Sequence, residues 1–228
     1  MKRPDFQTHR TATRIALSII AAGLAGCASL PGAALLGGLG IFGEPSEFTA
    51  TRAQIAAAGI TTPLIKVEIF SPRPESAGFL LATTANGIDI YRDQGGSELF
   101  LDRGVLRSSV GQRIDLLGAD TSPVHRAFEG GSPRYTRVLR HRSVDGPVIS
   151  TRFFCAFRRD GAENVTILGL TTVATRYSEN CQTAEPDTLG NVQNFENRYW
   201  LDSVGRVTAS EQWLNQERGT LRIEQVQR

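Results

Sequence analysis

The sequence has few of the residues that build metal sites and none of the short motifs that identify common enzymes. It contains three cysteines and three histidines, and neither His125 nor His141 lies in a cluster with the spacing of metal ligands. There is no phosphate-cradling Gly-Lys loop, no His-Glu-x-x-His and no nucleophile elbow. We therefore expect no catalytic residue, no metal and no cofactor.

Charge is also absent from a long stretch near the N-terminus, where no charged residue lies between Arg14 and Glu44. Four basic residues and one acid precede it, and residues 15–24 form a compact apolar core. This order is the layout of a bacterial export signal. Its end, LAGC, resembles the lipobox of bacterial lipoprotein signals, which predicts cleavage before Cys27 and lipidation of the Cys27 thiol.

Two other interpretations of this stretch compete. A signal peptidase cutting after Ala28, with Gly26 at the minus-three position, would release an ordinary secreted protein. An uncleaved helix over residues 15–42 is long enough to span a bilayer, but Pro31 and several glycines oppose it. We favour the lipoprotein, with a signal peptide at 1–26, a lipidated Gly/Ala-rich tether at 27–48 and a periplasmic β domain at 49–228.

Removal of the signal also removes the apparent basicity of the chain. Residues 1–26 hold four of the 25 basic residues and one of the 23 acids, which leaves 21 basic against 22 acidic residues. No basic run remains that would indicate nucleic-acid binding. The hydrophobic fraction of 40%, with 23 glycines and 10 prolines, is typical of a turn-rich β protein.

Two cysteines, Cys155 and Cys181, remain besides the lipid acceptor. An even pair in an exported chain predicts a disulfide, because that compartment is oxidising. Such a bond would stabilise the domain by roughly 3–4 kcal/mol in the chain-entropy model. The alternative is a pair of free, buried thiols.

The remaining pattern predicts one short helix followed by strands. Thr51 and Gln54 have the form of a capping box, and Gly59 stands where the helix would end. Asn86-Gly87 is a strong hairpin signal between two strands. We expect a loop over residues 120–133, a turn at 159–164 between two strands, and irregular structure over 178–192. The predicted fold is an all-β, barrel-like antiparallel meander of roughly ten to twelve strands.

The C-terminal hairpin allows a register prediction. A turn over residues 202–205 with Gly205 at the bulge position pairs Asp202 with Arg206 and Leu201 with Val207. Counting outward predicts one core face and one polar face. The core face contains Phe195, Tyr199, Leu201, Val207, Ala209 and Trp213, and the polar face contains Glu196, Arg198, Trp200, Thr208, Ser210 and Gln212.

Trp200 is the exception on that polar face. An aromatic ring flanked by Arg198 and Gln212 would suit stacking on a sugar ring, which makes these three residues a possible binding site. The interpretation that we favour is structural: the N-terminal helix, another strand or a partner covers Trp200.

The same C-terminal residues resemble a known family. The segment NRYWLDSVGRVTASEQWLNQERGTLRIEQV is similar to the C-terminal end of the group 4 capsule polysaccharide lipoproteins (the YjbF/GfcB family). The segments TRAQIAAAGITTPLIKVEIF and LFLDRGVLRSSVG also match the family order, so the resemblance covers most of residues 50–228. Residues 120–147 and the tether carry no match.

The resemblance implies a barrel-like fold and an outer-membrane lipoprotein on the periplasmic face that takes part in capsule or exopolysaccharide production. It implies, as partners, an outer-membrane β-barrel and periplasmic proteins of a polysaccharide export system, and polysaccharide itself. Ala28 after the lipid acceptor is consistent with sorting to the outer membrane. No catalytic residue is carried over from the family.

Two classes of function remain open. The first is a non-enzymatic accessory that docks a secretion barrel or holds polysaccharide. The second is an enzyme that modifies or cleaves a glycan, for which two carboxylates would have to face each other about 5–10 Å apart. The scattered acids Glu98, Asp102, Glu196 and Asp202 are more typical of turns and surfaces, and His125 and His141 of structural positions.

Overall fold

In its described residues, the protein folds into a nearly closed barrel of twelve antiparallel strands with two short helices. The structure, a computed structural model, describes residues 47–70, 75–111, 114–143, 146–186, 190 and 192–227. The predicted signal peptide, Cys27 and nearly all of the predicted tether therefore lie outside the described residues. The helices are α1 (Arg52–Ala57) and α2 (Ser122–Phe128), and the strands are β1 (Leu64–Ile69), β2 (Glu75–Ala85), β3 (Ile88–Arg92), β4 (Glu98–Asp102), β5 (Val105–Val110), β6 (Ile114–Ala119), β7 (Arg134–Ser143), β8 (Val148–Ile167), β9 (Leu170–Thr183), β10 (Asn194–Leu201), β11 (Val207–Asn215) and β12 (Gly219–Gln227).

The strands follow one another around a single sheet. Their order is β5-β4-β3-β2-β1-β12-β11-β10-β9-β8-β7-β6, so β1 pairs with β12 and joins two meanders. Alternate side chains point into the barrel, as the period of a strand requires. The interior is a packed apolar core that includes Ile65, Phe79, Leu99, Phe153 and Leu221. The predicted all-β, barrel-like fold is confirmed.

Helix α1 packs on the outside of the barrel, close to the N-terminal end of the described chain. Thr51 caps it, and Gln54 completes the capping box. Ile55 is buried against Trp200 and the strands beneath. The Arg52 guanidinium donates to the carbonyls of Ile167 and Val226 at 2.9–3.1 Å. The helix is therefore fixed to the far end of β8 and to β12.

Residues 120–133 are not only a loop, because α2 lies inside this segment. Pro123 stands in its first turn, where a missing N–H costs nothing and the ring favours helical φ. The buried residues Val124 and Ala127 pack with Val105, Tyr199 and Leu201 inside the barrel. The prediction of a loop was wrong, because a proline that starts a helix was treated as one that excludes it.

The predicted turn at residues 159–164 is also wrong. Strand β8 runs unbroken for 20 residues to Ile167, with a bulge between Arg159 and Gly161. The chain reverses at Leu168 and Gly169, which both have positive φ. β9 continues to Thr183, so residues 178–183 of the segment predicted to be irregular belong to a strand.

The C-terminal hairpin has the predicted turn and the predicted faces of β10, but β11 departs from the prediction beyond Val207. Leu201 pairs with Val207, and the Asp202 N–H donates to the Arg206 carbonyl at 2.9 Å. A bulge at Thr208 then shifts the register, so Trp200 pairs with Ala209. An extra residue exchanges the two faces of a strand. Beyond the bulge, Ser210 and Gln212 consequently face the interior.

Candidate functional site

A concave surface lies on the outer face of strands β7 to β10 and forms a groove. Its volume is about 970 Å³. Two rows of outward-facing residues cross it from strand to strand, as the pairing registers establish. The first row is Thr136, Phe154, Gln182 and Asn194, and the second is Arg134, Ala156, Asn180 and Glu196. These rows define what we call the β7–β10 groove.

Phe154 is the aromatic residue on this surface. It lies between the inward-facing residues Phe153 and Cys155, so the alternation of β8 directs its ring to solvent. The side chain is 51% exposed. Ala156 is the next outward residue along β8, and its small side chain leaves open space beside the ring. The result is an exposed aromatic face with room for a ligand next to it.

Three carboxamide side chains lie on the strands to one side of Phe154, on β9 and β10. Gln182 is the direct cross-strand partner of Phe154, and Asn194 is the partner of Gln182 on β10. Asn180 stands in the adjacent row, opposite Ala156. All three are exposed. A carboxamide both donates and accepts hydrogen bonds, so these groups suit a ligand rich in hydroxyls.

A disulfide lies directly beneath the groove. Cys155 and Cys181 are cross-strand partners on β8 and β9, and the structure contains the bond between them with a Cα–Cα distance of 4.1 Å. Both residues are 3% exposed and belong to the interior core. The bond ties together the two strands that carry Phe154 and the carboxamides of Asn180 and Gln182.

Trp200 lies elsewhere, at the contact between α1 and the barrel. It is 6% exposed and packs in a cluster with Phe48, Ile55 and Leu64. Its indole N–H donates to the Glu163 carboxylate, and the Arg222 guanidinium lies 5.4 Å from the ring centroid. The helix and the segment before it thus cover the ring, and no sugar can stack on it in this conformation.

Trp200, Arg198 and Gln212 do not form one surface. Arg198 is on the outer face, where it contacts Glu196 at 2.5 Å and Glu211 at 3.1 Å. Gln212 is 2% exposed inside the barrel. Its amide bonds to the Leu106 N–H at 2.7 Å and the Gly104 carbonyl at 2.9 Å. Gln212 therefore connects β11 to the β4–β5 turn across the interior.

The four acids that the sequence analysis considered do not face one another in a cleft. Glu98 pairs with Arg92, and Glu196 pairs with Arg198. Asp202 accepts the Val204 and Arg206 N–H groups and so holds the β10–β11 turn. Asp102 belongs to a largely buried polar group with Thr121 and His125.

That group closes the end of the barrel next to α2. Thr121 donates to the Asp102 carboxylate at 2.5 Å, and the His125 Nε2 atom lies 3.1 Å from the same oxygen. Burial lowers the pKa of His125, against the opposing effect of Asp102. Burial raises the pKa of Asp102, but the Thr121 hydrogen bond and the charges of His125 and Arg103 outweigh it, so the pKa is lowered.

A second buried polar group lies inside the barrel beside the disulfide. Glu179 is fully buried and accepts from Arg137 at 2.8 Å, Tyr135 at 2.9 Å, Asn197 at 2.7 Å and Tyr199 at 3.1 Å. Burial, reinforced by the Glu179 charge, raises the pKa of both tyrosines. Four donors satisfy the carboxylate, so this network specifies the packing of the core.

The same region contains a group of potential metal ligands in the described part of the chain. The Sγ atoms of Cys155 and Cys181 and a carboxylate oxygen of Glu179 lie within 4.8 Å of one another. The two sulfurs are bonded to each other, and only a thiolate binds a metal well. These residues therefore do not fit a metal in the oxidised protein.

The groove was not predicted from the sequence, although one signal for it was present. Phe153 and Phe154 are adjacent in a strand, so one of them must face outward if the other is in the core. A disulfide at Cys155 would orient the strand, since a buried bond requires Cys155 and Phe153 to face inward. The two rows of the groove depend on pairing with distant strands, which local sequence does not reveal.

Fold and site together define a small antiparallel β-barrel domain. Its packed interior contains buried, hydrogen-bonded polar groups, and a groove of the size of a ligand lies on its outer face. None of the helices in the described ranges has the length and apolar character needed to cross a membrane. The chain belongs to the family of the group 4 capsule polysaccharide lipoprotein gfcB, YjbF, whose model matches residues 34–226.

The fold is similar to that of a solved structure. The hypothetical lipoprotein YmcC from Escherichia coli (K12) is 18% identical with a TM-score of 0.66, over 78% of this chain and 89% of that one. A putative exported protein with a YmcC-like fold from Bacteroides fragilis NCTC 9343 is 10% identical with a TM-score of 0.30, over 73% of this chain and 93% of that one. No protein with a curated description matches the chain.

Proposed function

We propose that this chain is a non-enzymatic accessory protein of capsule or exopolysaccharide production that holds polysaccharide in the β7–β10 groove. In this proposal, lipid on Cys27 anchors it at the periplasmic face of the outer membrane. There it meets the outer-membrane barrel and the periplasmic proteins of the export system. Membership in a capsule polysaccharide lipoprotein family supports the general process.

The observation that carries the proposal is the half-exposed ring of Phe154 beside three carboxamides in a groove of ligand size. The C–H face of a sugar ring packs against a flat apolar ring, which gains free energy from the area that both remove from water. The hydroxyls around the same sugar need donors and acceptors, which Asn180, Gln182 and Asn194 supply.

The absence of free acid–base groups in the groove supports a binding function over catalysis. Among the described residues that line it, Glu196 is the one carboxylate, and Arg198 contacts it at 2.5 Å. Glycoside hydrolysis usually needs two carboxylates that face each other. Asp102 with His125 and the Glu179 network are largely or fully buried, so a polymer cannot reach them.

The test is the substitution Phe154→Ala, with Phe70→Ala as a matched control. Both phenylalanines are 51% exposed, but Phe70 follows β1 and lies outside the groove. We expect Phe154→Ala to weaken binding of the extracellular polysaccharide of the producing bacterium by about tenfold or more, since one buried aromatic contact contributes roughly 1.5–3 kcal/mol. Isothermal titration calorimetry measures the affinity.

Phe70→Ala should leave the affinity unchanged, and both variants should unfold within a few degrees of the wild type. Equal affinity of Phe154→Ala and wild type would refute a function of the groove in polysaccharide binding. Release of shortened saccharides during the titration would favour the glycan-modifying enzyme instead.

A further inference from the structure

Two arginines, Arg134 and Arg152, stand on outward positions on either side of Phe154, and a third, Arg140, lies further away on the same face. Arg152 precedes Phe154 by two residues on β8, and Arg134 lies diagonally across from Phe154 on β7, opposite Ala156. Arg140 follows further along the outward face of β7. All three are exposed. They place positive charge on both sides of the ring, along the side of the groove that β7 and β8 form.

These arginines differ from those on the neighbouring strands. Every arginine of β9, β10 and β12 contacts a carboxylate: Arg176 with Asp160, Arg198 with Glu211 and Arg222 with Glu211, at 3.0–3.1 Å. By contrast, no carboxylate of the described residues lies within ion-pair distance of Arg134, Arg140 or Arg152. Arg134, which lines the groove, and Arg152, on the other side of Phe154, therefore carry positive charges that no described carboxylate neutralises.

An arginine side chain stays charged at any physiological pH, and its planar guanidinium forms two parallel hydrogen bonds with a carboxylate or phosphate. The outer position of these groups keeps them hydrated until a ligand arrives. An anionic group on a bound ligand would complete ion pairs that the protein itself does not make.

We infer that the ligand of the groove is an acidic polysaccharide, whose anionic groups bind Arg134 and Arg152 while a sugar ring packs on Phe154. This inference rests on the proposed function of the groove. The carboxamides of Asn180, Gln182 and Asn194 favour a polyhydroxylated polymer over an anionic lipid surface, because a lipid surface would call for a wider apolar face. Carboxylate and phosphate are the two anions that a guanidinium fork recognises equally.

The experiment uses the full lipidated chain in detergent and four probes. They are the extracellular polysaccharide of the bacterium that carries the gene, the same polymer after reduction of its carboxyl groups, the polymer after removal of phosphate, and water-soluble, short-chain phosphatidylglycerol. We expect the untreated polymer to bind, and one of the two treatments to weaken binding at least about tenfold, as for the loss of one charged hydrogen-bond pair.

The variant Arg134→Gln/Arg152→Gln should weaken binding of the untreated polymer by a similar factor and reduce its dependence on salt. Arg92→Gln is the matched control. It removes one positive charge from an exposed position on β3, six strands away from β9 in the sheet order, and should bind like the wild type. Thermal unfolding of each variant confirms that it is folded.

The outcomes separate the two claims. Equal binding of the untreated and both treated polymers would overturn the acidic ligand and retain the proposed function. Binding of no polymer by folded protein would overturn both. Binding to the short-chain phosphatidylglycerol alone would also overturn both, and would assign the arginines to a lipid surface.

Discussion

At the scale of single residues, Trp200 shows how a side chain on a polar face comes to be structural. Its ring is covered by α1 and its N–H is bonded to Glu163, so it contributes apolar area and one hydrogen bond to the attachment of the N-terminal segment. Phe154, on the outer face of β8, has neither cover nor partner ring in the described chain. The two aromatic residues therefore differ in exposure: Trp200 is buried and Phe154 is open to solvent.

Trp200→Ala should lower the free energy of unfolding by about 3–5 kcal/mol, the usual cost of removing a large buried aromatic side chain. Urea denaturation followed by circular dichroism measures this change. Trp200→Phe, which keeps most of the apolar area, should cost less. Polysaccharide affinity should be unchanged in both. A loss of affinity without a loss of stability would instead support stacking of a sugar on Trp200.

At the scale of secondary-structure elements, the β4–β5 turn must approach β11 closely. Gly104 in this turn has a φ of +87°, and a Cβ atom added there would lie 2.6 Å from the Val207 Cβ. Gly205 in the β10–β11 turn has a similar φ of +80° but open space around it. An alanine at Gly205 would therefore meet only backbone strain, whereas an alanine at Gly104 would meet backbone strain and steric overlap with Val207.

Gly104→Ala should destabilise the protein by about 2–5 kcal/mol, because positive φ costs roughly 1–2 kcal/mol and overpacking adds about 1–3 kcal/mol. Gly205→Ala carries only the first cost. Thermal unfolding of the two variants should therefore give a clearly lower midpoint for Gly104→Ala. Equal midpoints would mean that Val207 moves aside without cost.

Elements with strong local signals were predictable from the sequence. The capping box at Thr51 and the Asn86-Gly87 turn are short-range features, and both are present as predicted. Bulges are different, because one extra residue reverses the faces of a strand while leaving the composition unchanged. The bulge at Thr208 places Gln212 inside the barrel. The bulge near Arg159 lies within β8, at the point where the sequence had predicted a turn.

The predicted binding residues differ from the groove for the same reason. Trp200 was selected because it is an aromatic residue on a face that is otherwise polar, but α1 lies far from it in sequence and its cover is a long-range contact. The β7–β10 groove requires four strands in register. Local sequence could predict only the alternation around Phe153 and Cys155, which directs Phe154 outward.

At the scale of the whole molecule, stability should depend on pH through two buried histidines. Burial lowers the pKa of both His125 and His141, although Asp102 opposes this for His125 and the Leu214 carbonyl for His141. The unfolded chain then binds protons more readily than the folded one. This stability is present above the unfolded value of about 6.5 and is lost as the pH falls below it.

We therefore expect the free energy of unfolding to fall between about pH 6.5 and pH 5, as measured by urea denaturation across that range. The double variant His125→Gln/His141→Gln should show a flatter dependence there. A second loss belongs to Asp102, whose lowered pKa contributes stability that disappears as the pH falls below about 3.8. An unchanged slope in the double variant would contradict the assignment to these histidines.

The position of α1 has a consequence for the reach of the anchored protein. Twenty residues separate Cys27 from Glu47, and a chain of that length extends at most about 70 Å. With Cys27 lipidated as proposed, the groove is confined to a thin layer over the membrane. Neighbouring copies in this layer would engage one polymer together, and such multivalency raises avidity by roughly 10²–10⁴. Each groove then needs only weak affinity to retain a long chain, while single sites still release it quickly enough for the polymer to move.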